Sequence, residues 1–313
     1  MKNESAPIYL LAGVTAAGKS QIALNWAEAN QSHILSCDSV AVYKGMDIGS
    51  AKPSEDEQSR VSHHGIDLAE VDSLYTVSDY AVYAKQVIEK LLNEEKKILI
   101  VGGSGFYLQS FLSPVVDKVE VEEALKEKVN KLVKEKDPND ILLELKRLNP
   151  QGLGTLDVLN PRRVSRALIR CLASGKSLLQ LNHEFNSLPK PFPGVDKKVL
   201  WLDREDKDLE QRISTRTDKM LKLGLLDETQ NLLDSGIENN VSAANAIGYR
   251  ECIAYLKGRV TLDDLIKQIN QSTRRLVSKQ RKWFRKHLGG QARLMVKENT
   301  EINTNQLEWI RHS

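Results

Sequence analysis

Nothing in the 313-residue sequence approaches the roughly 20 consecutive apolar residues that a membrane-crossing helix requires. No membrane partner is therefore expected. Cysteine is scarce, and Cys37, Cys171 and Cys252 match no metal-ligand spacing. A zinc-held or disulfide-stapled fold is thus not expected, and the pattern suits a reducing cytoplasm. Internal repeats and low-complexity tracts are missing, so neither a fibrous nor a disordered chain is indicated. Overall charge of one sign is lacking too, the net value being only +3. One stretch, however, lacks acidic residues altogether: Lys267, Arg274, Arg275, Lys279, Arg281, Lys282, Arg285 and Lys286 occur before residue 287 without one. Such a segment suits either a polyanionic partner or a solvated helix face.

What is present alternates between short apolar runs and longer amphipathic stretches. Residues 8–12 (IYLLA) form a continuous apolar run suited to a buried parallel strand. It is read as a strand and not as a leader, because its glycine end opens a phosphate-binding pattern. A helix from Lys19 follows, with Ile22, Ala23, Trp26 and Ala27 on one face. Residues 33–39 read as the second strand, with Asp38 near its end, and residues 54–60 as a short helix. Val77 opens an amphipathic helix with Ser78 as the expected N-cap, and residues 97–105 read as a third strand with a second glycine turn. From 119 to 188 the text is helical and charged. Residues 197–203 (KKVLWLD) return to strand pattern, and four helical stretches follow, the third being AANAIGYRECIAYLKG. The expected fold is α/β: a P-loop NTPase-like parallel sheet flanked by helices, with a helical insertion domain. Its expected segments are 1–116 for the first part of the core, 117–195 for the insertion and 196–313 for the return to the core and the C-terminal helices.

Gly13, Val14, Thr15, Ala16, Ala17, Gly18, Lys19 and Ser20 match the whole phosphate-loop pattern GxxxxGK followed by Ser or Thr, between strand and helix. Amides of such a loop converge on phosphate oxygens, Lys19 reaches the terminal phosphates, and the Ser20 hydroxyl would hold Mg²⁺. Two absences fit a kinase poorly. No apolar run ends in a Walker B acid pair, and the third strand runs into Gly-Gly-Ser-Gly instead of an acidic metal ligand. Asp38 is the acidic residue aimed at the same crevice edge as the loop; alone, it is equally compatible with a turn or cap carboxylate.

Several segments together resemble the tRNA dimethylallyltransferase family. GVTAAGKS is similar to that family's GPTASGKT loop, CDSVAVYKGMDIGSAKP (37–53) to its DSxQVYxGLDIGTAKP signature, and SHHGID from Ser62 to its PHHLID. VGGSGFYLQSF from Val101, NPRRVSRAL from Asn160, AIGYRECIAYLKG from Ala246 and STRRLVSKQRKWFRK from Ser272 follow in the family's order. The resemblance implies transfer of a dimethylallyl group from dimethylallyl diphosphate to N6 of adenosine 37, in the anticodon stem-loop of tRNAs reading codons that begin with U. The phosphate loop, residues 13–20, would then cradle the donor's diphosphate with Mg²⁺ on Ser20. A cytoplasmic monomer is expected.

Residue by residue, the resemblance implies that Asp38 accepts the N6 proton. Ser104 would hydrogen-bond the reacting amine or the bridging oxygen, and Arg212 would contact diphosphate. It sets Asp38, Ser39, Val40 and Ala41 against the RNA, with Arg162, Arg163, Val164, Ser165 and Arg166, then Asn245, Gly248, Tyr249 and Arg250, and finally Lys279, Gln280, Arg281 and Arg285. Trp283 and Phe284 are read as core anchors, and His63 and His64 as structural or rim residues. The chain departs from the family at Ala41, where a glutamine is expected to read the adenine edge, so Ala41→Gln is expected to raise kcat/KM. Rival readings are an adenylate isopentenyltransferase, a small-molecule kinase and a non-catalytic tRNA-binding protein. The basic last helix and the helical insertion argue against the first, because a mononucleotide needs neither.

Overall fold

The first apolar run forms β1 (Ile8–Gly13), in which Ile8, Leu10, Leu11 and Ala12 are fully buried. Cover on both faces explains why it reads as unbroken hydrophobe and not as alternation. The structure, a computed structural model, describes residues 6–297, 302–304 and 307–312, so the outer ends of the first and third expected segments and parts of the tail lie outside the described residues. β2 (Ser32–Cys37), β3 (His63–His64), β4 (Lys97–Gly102), β5 (Lys197–Asp203) and β6 (Arg293–Met295) complete a parallel sheet in the order β3-β2-β4-β1-β5-β6. β7 (Ile310–Arg311) runs antiparallel on β5. Register sets Ala12 opposite Gly102 and Gly102 opposite Cys37, so the loops after β1, β4 and β2 leave the sheet side by side. That is the edge where open parallel sheets bind ligands.

Residues 1–112 and 192–313 make one compact unit and residues 113–191 another. In the larger, α1 (Lys19–Asn30) buries Ile22, Ala23, Trp26 and Ala27, and α2 (Glu55–Arg60) starts from a capping box between Ser54 and Glu57. α3 (Val77–Asn93) is capped by Thr76 and not by Ser78, a correction to the sequence reading. The Thr76 hydroxyl accepts from the Asp79 amide at 3.3 Å while the Asp79 carboxylate accepts from the Thr76 amide at 2.8 Å, a reciprocal pair unavailable to a residue already inside the helix. α4 (Gly105–Leu112) follows β4 after a two-residue turn. In the smaller unit, α5 (Glu123–Glu135), α6 (Pro138–Leu148), α7 (Pro161–Ser174) and α8 (Leu178–Asn186) surround a core that includes Val129, Leu145, Val164, Leu168 and Leu181. Buried Asn149 ties that core together, donating to Leu145 O at 2.8 Å and accepting from the Leu178 amide at 2.6 Å.

The larger unit then adds α9 (Asp206–Lys222), α10 (Leu225–Asp234), α11 (Val241–Ala244), α12 (Tyr249–Leu256) and α13 (Leu262–His287). The stretch expected as a single third helix is cut into α11 and α12, because Gly248 takes φ 97°, outside the range a helix interior allows. Phe284 is fully buried against Trp201, while Trp283 is half-buried. His63 and His64 form the strand at one edge, and His64 Nε2 is hydrogen-bonded to His33 Nδ1 at 3.1 Å. No helix among the described residues is long and apolar enough to cross a membrane.

Candidate active site

After β1 the chain turns through residues 14–18 into α1. Gly18 takes φ 92°, and Ala16 takes φ 62°, a left-handed conformation that costs an alanine about 1 kcal/mol. Two arginines brace this strained turn through its carbonyls: Arg212 Nε donates to Ala16 O at 2.7 Å and Arg204 Nε to Ala17 O at 3.0 Å. Val14 and Ala17 are buried, and their amides bond Leu202 O and Val14 O, both at 3.2 Å. The amides of Ala16, Gly18, Lys19 and Ser20 have no acceptor among the described residues. These are the donors that a phosphate takes up at a helix start. Lys19 Nζ folds back onto Val14 O at 3.0 Å, and burial, reinforced by Arg216 and opposed by Asp38, pushes its pKa down to about 8. An ammonium so poorly solvated gains strongly from a bound anion.

Arg216 is the residue that sequence reasoning passed over. It sits on α9 one turn beyond Arg212, with Nη1 3.5 Å from Thr15 Oγ1. Burial lowers its pKa and the Asp38 charge opposes that shift, so the guanidinium lies within electrostatic reach of both the phosphate loop and the carboxylate. The available signal was the i,i+4 spacing of the two arginines in QRISTR, which aligns them on one helix face.

Asp38 is the first residue past β2. Its Oδ1 accepts from the Val40 amide at 2.8 Å and, more weakly, from the Ala41 amide at 3.4 Å. This Asx turn fixes the carboxylate and leaves Oδ2 without a partner among the described residues. Ser104, at the head of α4, ties the loops after β4 and β2 together. Its hydroxyl accepts from the Ser39 amide at 3.1 Å and lies 3.2 Å from the Ser39 hydroxyl. Cys37, buried beside them, has its thiol pushed well up by desolvation and stays protonated.

The loop beyond Asp38 is held from below. The Glu228 carboxylate accepts from the amides of Asp47, Ile48 and Gly49 at 3.1, 2.7 and 3.2 Å, and from the Tyr249 hydroxyl at 2.7 Å. Gly49 is required by close approach, since a Cβ there would lie 2.5 Å from the Tyr249 ring. Tyr249 is thus fully buried and Gly248 is buried with its amide on Glu251 at 2.9 Å. Both were expected at the RNA surface; the structure commits them to packing, because they close the Glu228 and Glu251 networks.

The other expected RNA-facing residues divide in the same way. Arg162, Arg163 and Arg166 are exposed on α7 and Ser165 is half-buried, whereas Val164 is buried in the smaller unit's core. Lys279 and Arg285 are exposed on α13; Asn245, just after α11, and Arg250, on α12, are exposed too, the latter bonded to Ser272 at 3.0 Å. Gln280 and Arg281, also expected against the RNA, are engaged inside the protein. Gln280 is buried with both amide ends paired inside the protein, and Arg281 is spent on the fully buried Asp203, at 2.9 and 3.0 Å. Ser39 is exposed and Val40 half-buried, but Ala41 is buried at 4% exposure, which leaves no open face there for reading a base.

Parallel sheet, phosphate loop and flanking helices define a P-loop NTPase-like fold. The sequence matches the IPP transferase family over residues 41–287. It is 47% identical over 279 residues to a tRNA dimethylallyltransferase of Opitutus terrae, covering 89% of this chain and 90% of that one. With the Bacillus subtilis tRNA dimethylallyltransferase it shares 34% over 286 residues, covering 91% and 90%. Among solved structures, a eukaryotic dimethylallyltransferase acting on tRNA superposes with a TM-score of 0.79 at 25% identity, covering 94% of this chain and 74% of its own. The full-length tRNA isopentenylpyrophosphate transferase of Bacillus halodurans gives 0.66 at 27%, covering 93% and 89%. The chain belongs to the tRNA dimethylallyltransferase family of enzymes.

Proposed function

We propose that this enzyme transfers the dimethylallyl group of dimethylallyl diphosphate to N6 of adenosine 37 in tRNAs reading codons that begin with U. It would act as a cytoplasmic monomer on the anticodon stem-loop. The observation that carries this is the pairing, at one sheet edge, of unfilled phosphate-loop amides with a carboxylate whose second oxygen is free. A kinase would want an acidic metal ligand after β4, where this chain has Gly103 and Ser104.

In the proposed reaction the donor's diphosphate takes the amides of Ala16, Gly18, Lys19 and Ser20, with Lys19, Arg212 and Arg216 around it. As N6 bonds to C1, the C1–O bond breaks and diphosphate leaves with its electron pair. The N6 proton passes to Asp38 Oδ2. An adenine amine is a weak nucleophile, so such a base contributes about 10²–10⁴ in rate. The cations and amides stabilise charge growing on the bridging oxygen, and Ser104 orients the amine.

No cluster of three or more His, Cys, Asp or Glu able to hold a metal exists among the described residues. Exposed Ser20 fits Mg²⁺ bound chiefly through diphosphate oxygens and water, the coordination that ion favours. When bound, Mg²⁺ would neutralise charge on the leaving diphosphate.

The test is nucleoside mass spectrometry after incubating the protein with dimethylallyl diphosphate, Mg²⁺ and an unmodified anticodon stem-loop, beside AMP and ATP as acceptors. Prenyl-adenosine arising only in the RNA, at position 37, is the expected result; product only on the mononucleotides would reassign the acceptor.

A further inference from the structure

The buried stripe of α13 runs through Leu265, Ile269, Val277, Gln280 and Phe284. A primary amide in an apolar stripe is costly unless both of its ends are paired. Here both are. Gln280 Oε1 accepts from the Thr15 amide at 2.9 Å, and Nε2 donates to Gly103 O at 3.1 Å. Thr15 belongs to the phosphate loop, whereas Gly103 immediately precedes Ser104, which is bonded to Ser39 next to Asp38.

We propose that Gln280 is a positioning residue that sets the spacing between the loop holding the leaving group and the loops holding the base and the acceptor amine. This inference rests on the proposed transfer reaction. A glutamine suits the task because it offers an acceptor and a donor on one short planar group; ionised glutamate lacks the donor, and lysine and arginine lack the acceptor. The surrounding packing is built for the tether. A Cβ at Gly103 would lie 2.5 Å from Gln280 Nε2, and one at Gly105 would lie 2.9 Å from the Trp283 ring. Glycine at these two positions therefore admits α13 against the turn after β4. The tether also occupies the Thr15 amide, which leaves the later amides of the loop for the anion.

Gln280→Met keeps the length and removes both hydrogen bonds; Gln280→Glu keeps only the acceptor and serves if the first variant does not fold. Steady-state kinetics, RNA binding and amide hydrogen exchange at Thr15 are measured on the full chain. The expected result is a fall in kcat of roughly 10- to 100-fold, the scale of a sub-ångström to ångström misplacement. KM for dimethylallyl diphosphate and Kd for the stem-loop should stay within about threefold on the same reasoning, with faster exchange at Thr15. An unchanged kcat, or a loss confined to RNA affinity or melting temperature, overturns the tether. If the wild-type protein prenylates no RNA at all, the proposed function fails instead. Exchange then decides the tether alone, strong protection at Thr15 that Gln280→Met abolishes supporting it and equal exchange in both proteins refuting it.

Discussion

Two helices carry most of the basic residues that the sequence points toward RNA, and they use them differently. On α7, Arg162, Arg163 and Arg166 are exposed, and the ion pair of Arg163 with Asp157 is a loose one of 3.4 Å. On α13 the same composition is split: Lys279, Lys282, Arg285 and Lys286 face solvent, while Arg281 reaches inward to Asp203, Asp206 and the carbonyl of Arg204. Asp203 is fully buried at the end of β5 and also receives Arg293 at 2.6 Å. A carboxylate with no access to water must be paired, so the fold claims Arg281 before any ligand can. Positive charge in a motif therefore marks a phosphate contact only where no buried acid competes for it.

The largest effect expected from this contrast is at Arg281. Arg281→Ala should cost about 3–5 kcal/mol of stability, as breaking a buried pair does, while Arg285→Ala, one turn on, should leave unfolding unchanged and weaken RNA binding. Chemical denaturation beside RNA titration reads both. Next in size, replacing Arg162, Arg163 and Arg166 together by alanine should leave the melting temperature unchanged. It should lower the dependence of log K on log salt by about 2, near 0.7 for each lost contact to single-stranded phosphate. A large melting shift would show that α7 resembles the inward face of α13.

The smallest effect concerns Lys19, a half-buried cation and the proposed diphosphate partner. Its folded pKa of about 8 lies below the ordinary 10.5, so the folded state holds its proton less well than the unfolded chain. The ammonium therefore destabilises the empty protein below pH 8, and that penalty fades as pH rises toward 10.5. Lys19→Met should accordingly raise the melting temperature by about 2–4 °C at pH 7, with the advantage shrinking at higher pH, while KM for the donor rises steeply. Wild-type donor KM should also climb above pH 8, as Lys19 loses its charge.

Much of the central sheet was legible because it is buried on both faces: β5 falls on the residues its apolar run indicated, and β1 runs one residue past them. The short strands β3, β6 and β7 were not, since two or three residues carry no periodicity and are recruited by neighbours already in place. In the candidate site, Lys19, Asp38 and Ser104 were legible because loop chemistry and motif order mark them. Arg216 was missed because its role depends on how α9 lies against the phosphate loop. The inward pairing of Tyr249, Gln280 and Arg281 was not legible for a related reason: a motif records that a residue is constrained, not what constrains it, and the partners Glu228, Gly103 and Asp203 appear only in the fold.

Asp38 is the proposed proton acceptor beside a diphosphate proposed to sit on the phosphate loop. The most direct measurement is single-turnover prenyl transfer by Asp38→Asn, with donor and stem-loop affinities measured in parallel. Asparagine keeps the Oδ1 contacts to Val40 and Ala41 but cannot take a proton. The expected result is a rate lower by about 10²–10⁴ with both affinities retained; transfer at the wild-type rate would contradict the assignment.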